Sequence, residues 1–200
     1  MDLGCGRGTL AVPAARLVRE VVGVDNNPSL IREGETWAKE EGLTNVAFRS
    51  RSVLDVDEGP FDIVLCSDVV EHVADQDRFV GAVARSLGPE GAYYLSTNNR
   101  WWPLEGHYRV PFLSYLPQPW ATRYLRVLGS TGEYHIYPLS LPRLTSLLER
   151  HGLTWALKLP WNPRTLTQRM GKRLVRMSPR FWHLANAFQV VGTRREDGSG

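Results

Sequence analysis

A doubly wound α/β sheet is the fold class this sequence predicts, and three observations predict it. Short apolar runs of strand length recur at 21–25, 61–66 and 92–96, with helix-length segments between them. Strands alternating with helices imply a parallel sheet with right-handed crossovers. Glycines stand at positions 4, 6 and 8 of the opening stretch Asp2-Leu3-Gly4-Cys5-Gly6-Arg7-Gly8-Thr9; at this spacing they let a strand turn sharply into a helix and let a ligand approach the backbone. The run from Val21 closes on an acid, Asp25, 19 residues after Gly6. A carboxylate so placed accepts hydrogen bonds from a ribose diol.

The elements follow in order. The apolar lead-in expected of a first strand is reduced to Met1 to Leu3, so we expect a truncated first strand and an N-terminally shortened chain. A first helix continues from Pro13 to Arg19, with proline tolerated in its first turn. Asn26-Asn27 ends the second strand, Pro28-Ser29 opens a helix to about Glu41, and Gly42 stops it. A short third strand covers 45–49, and Glu58-Gly59-Pro60 is a turn before the fourth strand. A helix is expected over 78–87, Gly88-Pro89-Glu90-Gly91 reads as a turn, and the fifth strand covers 92–96. Residues 98–137 break the rhythm: they hold Trp101, Trp102, Trp120 and six tyrosines or phenylalanines among four prolines. That stretch is too long for a simple loop and reads as a substrate lid over the strand ends, or as a packed subdomain without ligand contacts. A helix over 139–151 buries Leu144, Leu147 and Leu148, and Gly152 ends it. The last two strands are expected at 153–159 and 188–193. The domain reading is thus a nucleoside-cofactor core at 1–97, an insert at 98–137, and the rest of the same domain at 138–200.

Composition bounds the class. Two hundred residues with 42% hydrophobic content suit one domain with a full core. No apolar run reaches membrane-spanning length and no secretory signal opens the chain, and Cys5 and Cys66 stand far apart, so a reduced, cytoplasmic protein is expected. The net charge of +3 conceals an asymmetry: residues 1–149 hold 14 Lys and Arg against 19 Asp and Glu, whereas 150–195 hold ten basic residues and no acid. Within 162–182, Leu166, Met170, Leu174 and Met177 fall at helical spacing, with Arg169, Lys172, Arg173 and Arg176 around them. A basic amphipathic helix of this kind packs on the domain with its arginines solvated, or lies on an anionic membrane surface, or meets nucleic acid.

A nicotinamide fingerprint G-x-G-x-x-G would need glycine at position 9, where Thr9 stands. The form present, D-x-G-x-G-x-G, resembles motif I of the class I S-adenosylmethionine (SAM)-dependent methyltransferases. Gly59-Pro60-Phe61-Asp62-Ile63-Val64 is similar to that family's fourth-strand motif. Asp68-Val69-Val70-Glu71-His72-Val73 resembles the E-H-V signature of its ubiquinone-biosynthesis (UbiG-like, type 11) O-methyltransferase branch. Leu87-Gly88-Pro89-Glu90-Gly91 and Leu95-Ser96-Thr97-Asn98-Asn99-Arg100 are similar to that branch around strand five.

The resemblance implies a Rossmann-like sheet of seven strands, mostly parallel with the last antiparallel. It implies SAM as cofactor, held by Asp2, Gly4, Cys5, Gly6, Gly8, Asp25, Asn26, Ser52, Val53 and Asp68. Asp2 would meet the α-amino group of SAM, directly or through water. Ser52-Val53 stands where many relatives place an acid-small pair beside adenine, so Asp55 is the remaining charged acceptor there. His72, just after a strand whose end faces the cofactor, is the candidate catalytic base, or else fixes its loop by hydrogen bonds. The resemblance would also imply a divalent metal on Asp68, Glu71 and His72, although acid-rich helix starts occur for dipole reasons alone; no metal is assigned. Arg100, His107, Arg109, Tyr134 and His135 are candidate polar groups for the acceptor. The leading expectation is methyl transfer to a small-molecule or lipid-linked acceptor, at oxygen. A non-catalytic SAM-fold scaffold is the alternative. A nucleic-acid methyltransferase is less favoured, because no D/N-P-P-Y-type motif follows strand four.

Overall fold

The computed structural model describes residues 1–158, Leu166, Arg169, Met170, Arg173 and residues 185–195. Seven strands form one sheet in the order β3-β2-β1-β4-β5-β7-β6. They are β1 (Asp2–Leu3), β2 (Val21–Asp25), β3 (Val46–Ser50), β4 (Phe61–Ser67), β5 (Leu87–Asn98), β6 (Ala156–Lys158) and β7 (Ala187–Thr193). β1 to β5 run parallel, while β7 is antiparallel to both β5 and β6. This is the Rossmann-like sheet expected, with a first strand of two residues.

Helices cover both faces, as a parallel sheet requires. On one face α1 (Ala11–Ala15) and α2 (Pro28–Glu40) pack Ala11, Val12, Ile31 and Ala38 on Val21 and Phe48. On the other, α3 (Gln76–Ser86) and α5 (Leu141–Arg150) pack Phe79, Val80, Val83, Leu144, Leu147 and Leu148 on Val22, Val24, Val64 and Leu95. The Asn27 side chain accepts the Ser29 amide N–H at the start of α2, which is why the helix begins at Pro28.

Two expectations are corrected. The first helix ends at Ala15, not Arg19; the side-chain amide of Asn45 donates to the carbonyls of Ala15, Val18 and Arg19, which ties the following residues down as a turn. The expected turn at 88–91 is part of β5, because Leu87 pairs with Phe61 across a register shift in β4. Gly91 permits that close approach, since a Cβ there would lie 2.7 Å from the Phe61 carbonyl oxygen.

The insert carries α4 (Gln118–Val127) and a short 3₁₀ turn at Leu113–Tyr115. It has its own apolar cluster of Leu113, Ala121, Leu125, Tyr134 and Ile136. The basic amphipathic stretch expected at 162–182 lies largely outside the described residues. Its four described members, Leu166, Arg169, Met170 and Arg173, are helical and exposed. No helix among the described residues is long and apolar enough to cross a membrane.

Candidate functional site

The strand order reverses between β1 and β4, and ligands of doubly wound sheets sit at the carboxyl ends of the strands beside that reversal. A recess of about 490 Å³ opens there, within the size range of small-molecule clefts. Its walls come from the carboxyl ends of four strands and the residues that follow them: Gly4 after β1, Asp25 at the end of β2 with Asn26 and Asn27, Ser52 to Leu54 after β3, and Asp68, Val69, His72 and Val73 after β4.

The glycine loop shapes one wall. Gly4, Gly6 and Gly8 all have positive φ, at 75°, 53° and 82°, the left-handed region that glycine enters without a Cβ penalty. A Cβ on Gly4 would fall 2.4 Å from a Val69 methyl, so the loop and the segment after β4 meet only because no side chain intervenes. Gly4→Ala should therefore cost at least the 1–2 kcal/mol or so of a left-handed alanine, with the Val69 clash added. Urea unfolding of the variant at parental stability would contradict this packing.

Asp25 is held from two sides. The Gly6 amide N–H donates to one carboxylate oxygen and the Asn27 amide N–H to the other, each at 2.9 Å. Both bonds fix the carboxylate at the recess wall. Asp2 lies elsewhere: it is 2% exposed beneath the loop and is absent from the recess lining. Burial pushes its carboxyl up to about 6. Cys5 is buried against Gly23, and burial drives its thiol far above the ordinary value. Ser52 accepts the Leu54 amide N–H through its hydroxyl, and Val53 is mostly buried, its residue still reaching the wall. Asp55 is ion-paired with Arg78 at 2.6 Å and is not part of the lining.

The segment after β4 carries the reactive groups. Asp68 adopts φ 55°, and its carboxylate accepts the Ser96 hydroxyl at 3.0 Å while its amide N–H donates to the Ser96 carbonyl. A 3₁₀ turn at Val70–His72 then sends Glu71 inward and His72 to the recess. Glu71 is completely buried; it accepts the Thr97 hydroxyl at 3.0 Å and the Asn98 amide groups. Burial lowers the His72 pKa from its ordinary value, and a charged His107 would lower it further.

Of the candidate acceptor groups, the structure brings only His107 to His72, with ring centroids 4.7 Å apart. Tyr134 is buried in the insert's cluster, Arg100 stacks over Trp101, and Arg109 and His135 are exposed. Among the described residues, Glu71, His72 and His107 place one possible ligand atom each within 4.8 Å of one another. Asp68 is not in that group, being turned to Ser96, and both Glu71 oxygens accept protein hydrogen bonds. Of the metal set implied on Asp68, Glu71 and His72, the structure thus keeps Glu71 and His72 together with His107 and leaves Asp68 outside that group. Sequence reading missed Asn27, Leu30, Leu54, Val69, Val73 and Ala74 as wall residues. The Asn27-Pro28 helix start was the available signal for the first; nothing local marks the others.

A doubly wound sheet with a glycine loop, an acid and a histidine at the switch point is the setting in which open α/β sheets bind nucleoside cofactors. The chain belongs to the methyltransferase-domain family, whose model matches residues 1–117, a class of SAM-dependent enzymes. It is 39% identical over 103 residues to a ubiquinone biosynthesis O-methyltransferase of Caulobacter vibrioides, a match covering 50% of this chain and 40% of that one. A Bradyrhizobium protein of the same name is 42% identical over 103 residues, covering 51% and 40%. The matches thus span well under half the length of these curated relatives. The fold is similar to an S-adenosylmethionine-dependent methyltransferase from Mesorhizobium loti, with a TM-score of 0.69 at 17% identity over 96% of this chain and 89% of that one. It is also similar to magnesium protoporphyrin IX methyltransferase from Synechocystis, solved with bound SAM, with a TM-score of 0.60 at 17% identity over 96% and 68%.

Proposed function

We propose that this chain binds SAM in the recess and transfers its methyl group to an oxygen of a small-molecule acceptor. The observation that carries the reading is the Asp25 carboxylate, fixed by Gly6 and Asn27 at the recess wall, where it would take the ribose hydroxyls. Gly4, Asn26, Ser52, Val53 and Asp68 would line the rest of the cofactor, while Cys5, Gly6 and Gly8 shape the loop. Asp2 would act from beneath that loop.

Methyl transfer is an in-line displacement at a carbon that the sulfonium already activates. The protein's task is to hold donor and acceptor in line and to remove a proton from the attacking hydroxyl. His72 stands at the recess and would accept that proton. Its lowered pKa keeps the imidazole neutral at neutral pH, as a base must be. The names of the relatives favour oxygen as the acceptor atom. A lipid-linked acceptor is the finer part of the proposal; the exposed Leu166 and Met170 beside Arg169 and Arg173 favour it.

Incubation with methyl-labelled SAM and catechol, as a minimal hydroxylated acceptor, tests the reaction. Label in the O-methyl ether is expected. SAM binding without transfer to catechol or to a panel of longer-chain catechols would instead support a non-catalytic SAM-fold protein. For the lipid-linked reading, pelleting with vesicles containing anionic lipid is expected, fading with salt; no pelleting at low salt would contradict it.

A further inference from the structure

The insert returns one side chain to the reactive segment. The buried Glu105 carboxylate accepts the amide N–H groups of His107 at 2.8 Å and Tyr108 at 2.6 Å, so the turn that carries His107 is fixed from within the insert. The His107 Nε2 lies 3.1 Å from the Asn98 side-chain nitrogen and 3.9 Å from a Glu71 oxygen. When neutral, Nε2 accepts the Asn98 N–H; when protonated, it faces the Glu71 carboxylate. The ring stands edge-on to His72 at an interplanar angle of 76°. Glu71, one residue before His72, accepts from Thr97 and Asn98 at the end of β5, and its own carbonyl accepts the Tyr137 amide N–H at the far end of the insert. The insert is thus tied at both ends to the turn that presents His72.

We propose that His107 is a positioning residue for His72: packed edge-on against the imidazole and anchored through Asn98 and Glu71, it holds that ring in the orientation from which it takes the acceptor's proton. This deepens the reading of His72 as base and rests on it. Asn98 links the two: its side-chain N–H group bonds the buried Glu71 carboxylate and stands 3.1 Å from the His107 Nε2.

The test uses His107→Phe, which keeps a ring against His72 without nitrogen, and His107→Gln, which can still bond Asn98. The His72 ring orientation is read from crystal structures of the parent and the variants without acceptor. One rotamer is expected in the parent, and a shifted or split one in His107→Phe, where the anchor to Asn98 is gone. With catechol as acceptor, kcat should fall about tenfold or more in His107→Phe, SAM affinity should stay at the parental value, and His107→Gln should recover part of kcat. An unchanged His72 orientation in His107→Phe, or a kcat loss that only tracks lost SAM binding or folding, would overturn the proposal. If the parent itself methylates nothing, the functional reading fails. The His72 orientation in the variant crystals still decides whether His107 positions His72.

Discussion

Asp25→Ala should weaken SAM binding between ten- and a hundredfold while leaving the sheet intact. The carboxylate is the one recess acid with both oxygens oriented by backbone N–H groups, from Gly6 and Asn27. Its remaining lone pairs would take the ribose diol. Hydrogen bonds to a charged group contribute about 1.5–3 kcal/mol, and each 1.4 kcal/mol or so is a factor of ten in affinity. The Ala variant also leaves the Gly6 and Asn27 amides without their side-chain acceptor, so Asp25→Asn serves as companion: it keeps the shape and removes the charge. Calorimetry giving the parental SAM affinity for Asp25→Ala would remove the residue from the cofactor site.

His72→Ala should lower kcat about a hundredfold or more with SAM affinity near the parental value, the range of a lost general base. The pH profile carries a signed expectation. A base works only when neutral, and burial places the His72 midpoint below the ordinary histidine value of 6.5. The rate should therefore be flat near neutrality and fall as the pH drops through that lowered midpoint. The variant should lose this acid limb along with its rate. An unchanged kcat on an acceptor that the parent methylates would leave His72 as a structural residue of its turn.

The glycine loop and the acid after it were legible because their geometry is local. Three glycines with positive φ and an acid closing the next strand are encoded within 25 residues, and backbone geometry demands those residue types. The sheet was legible for the same reason, since apolar runs and helix stops repeat along the chain. What escaped depends on contacts between distant segments. Nothing near Glu71 announces that it would be wholly buried and joined to Thr97 and Asn98, 26 and 27 residues later. The insert's candidate polar groups cannot be told apart in sequence, yet Tyr134 is turned into an apolar cluster and His107 onto His72. The strand pairing of Leu87 with Phe61 hid behind four residues of strong turn composition.

The claim at the centre of this account is that the recess after β1, β2, β3 and β4 is the SAM site. A crystal structure of the chain with S-adenosylhomocysteine tests it most directly. The account predicts the ribose hydroxyls on the Asp25 carboxylate, the adenine beside Ser52 and Val53, and the sulfur facing the His72 side of the recess. The nucleoside bound elsewhere, or bound in the recess with Asp25 making no contact to the ribose, would contradict it.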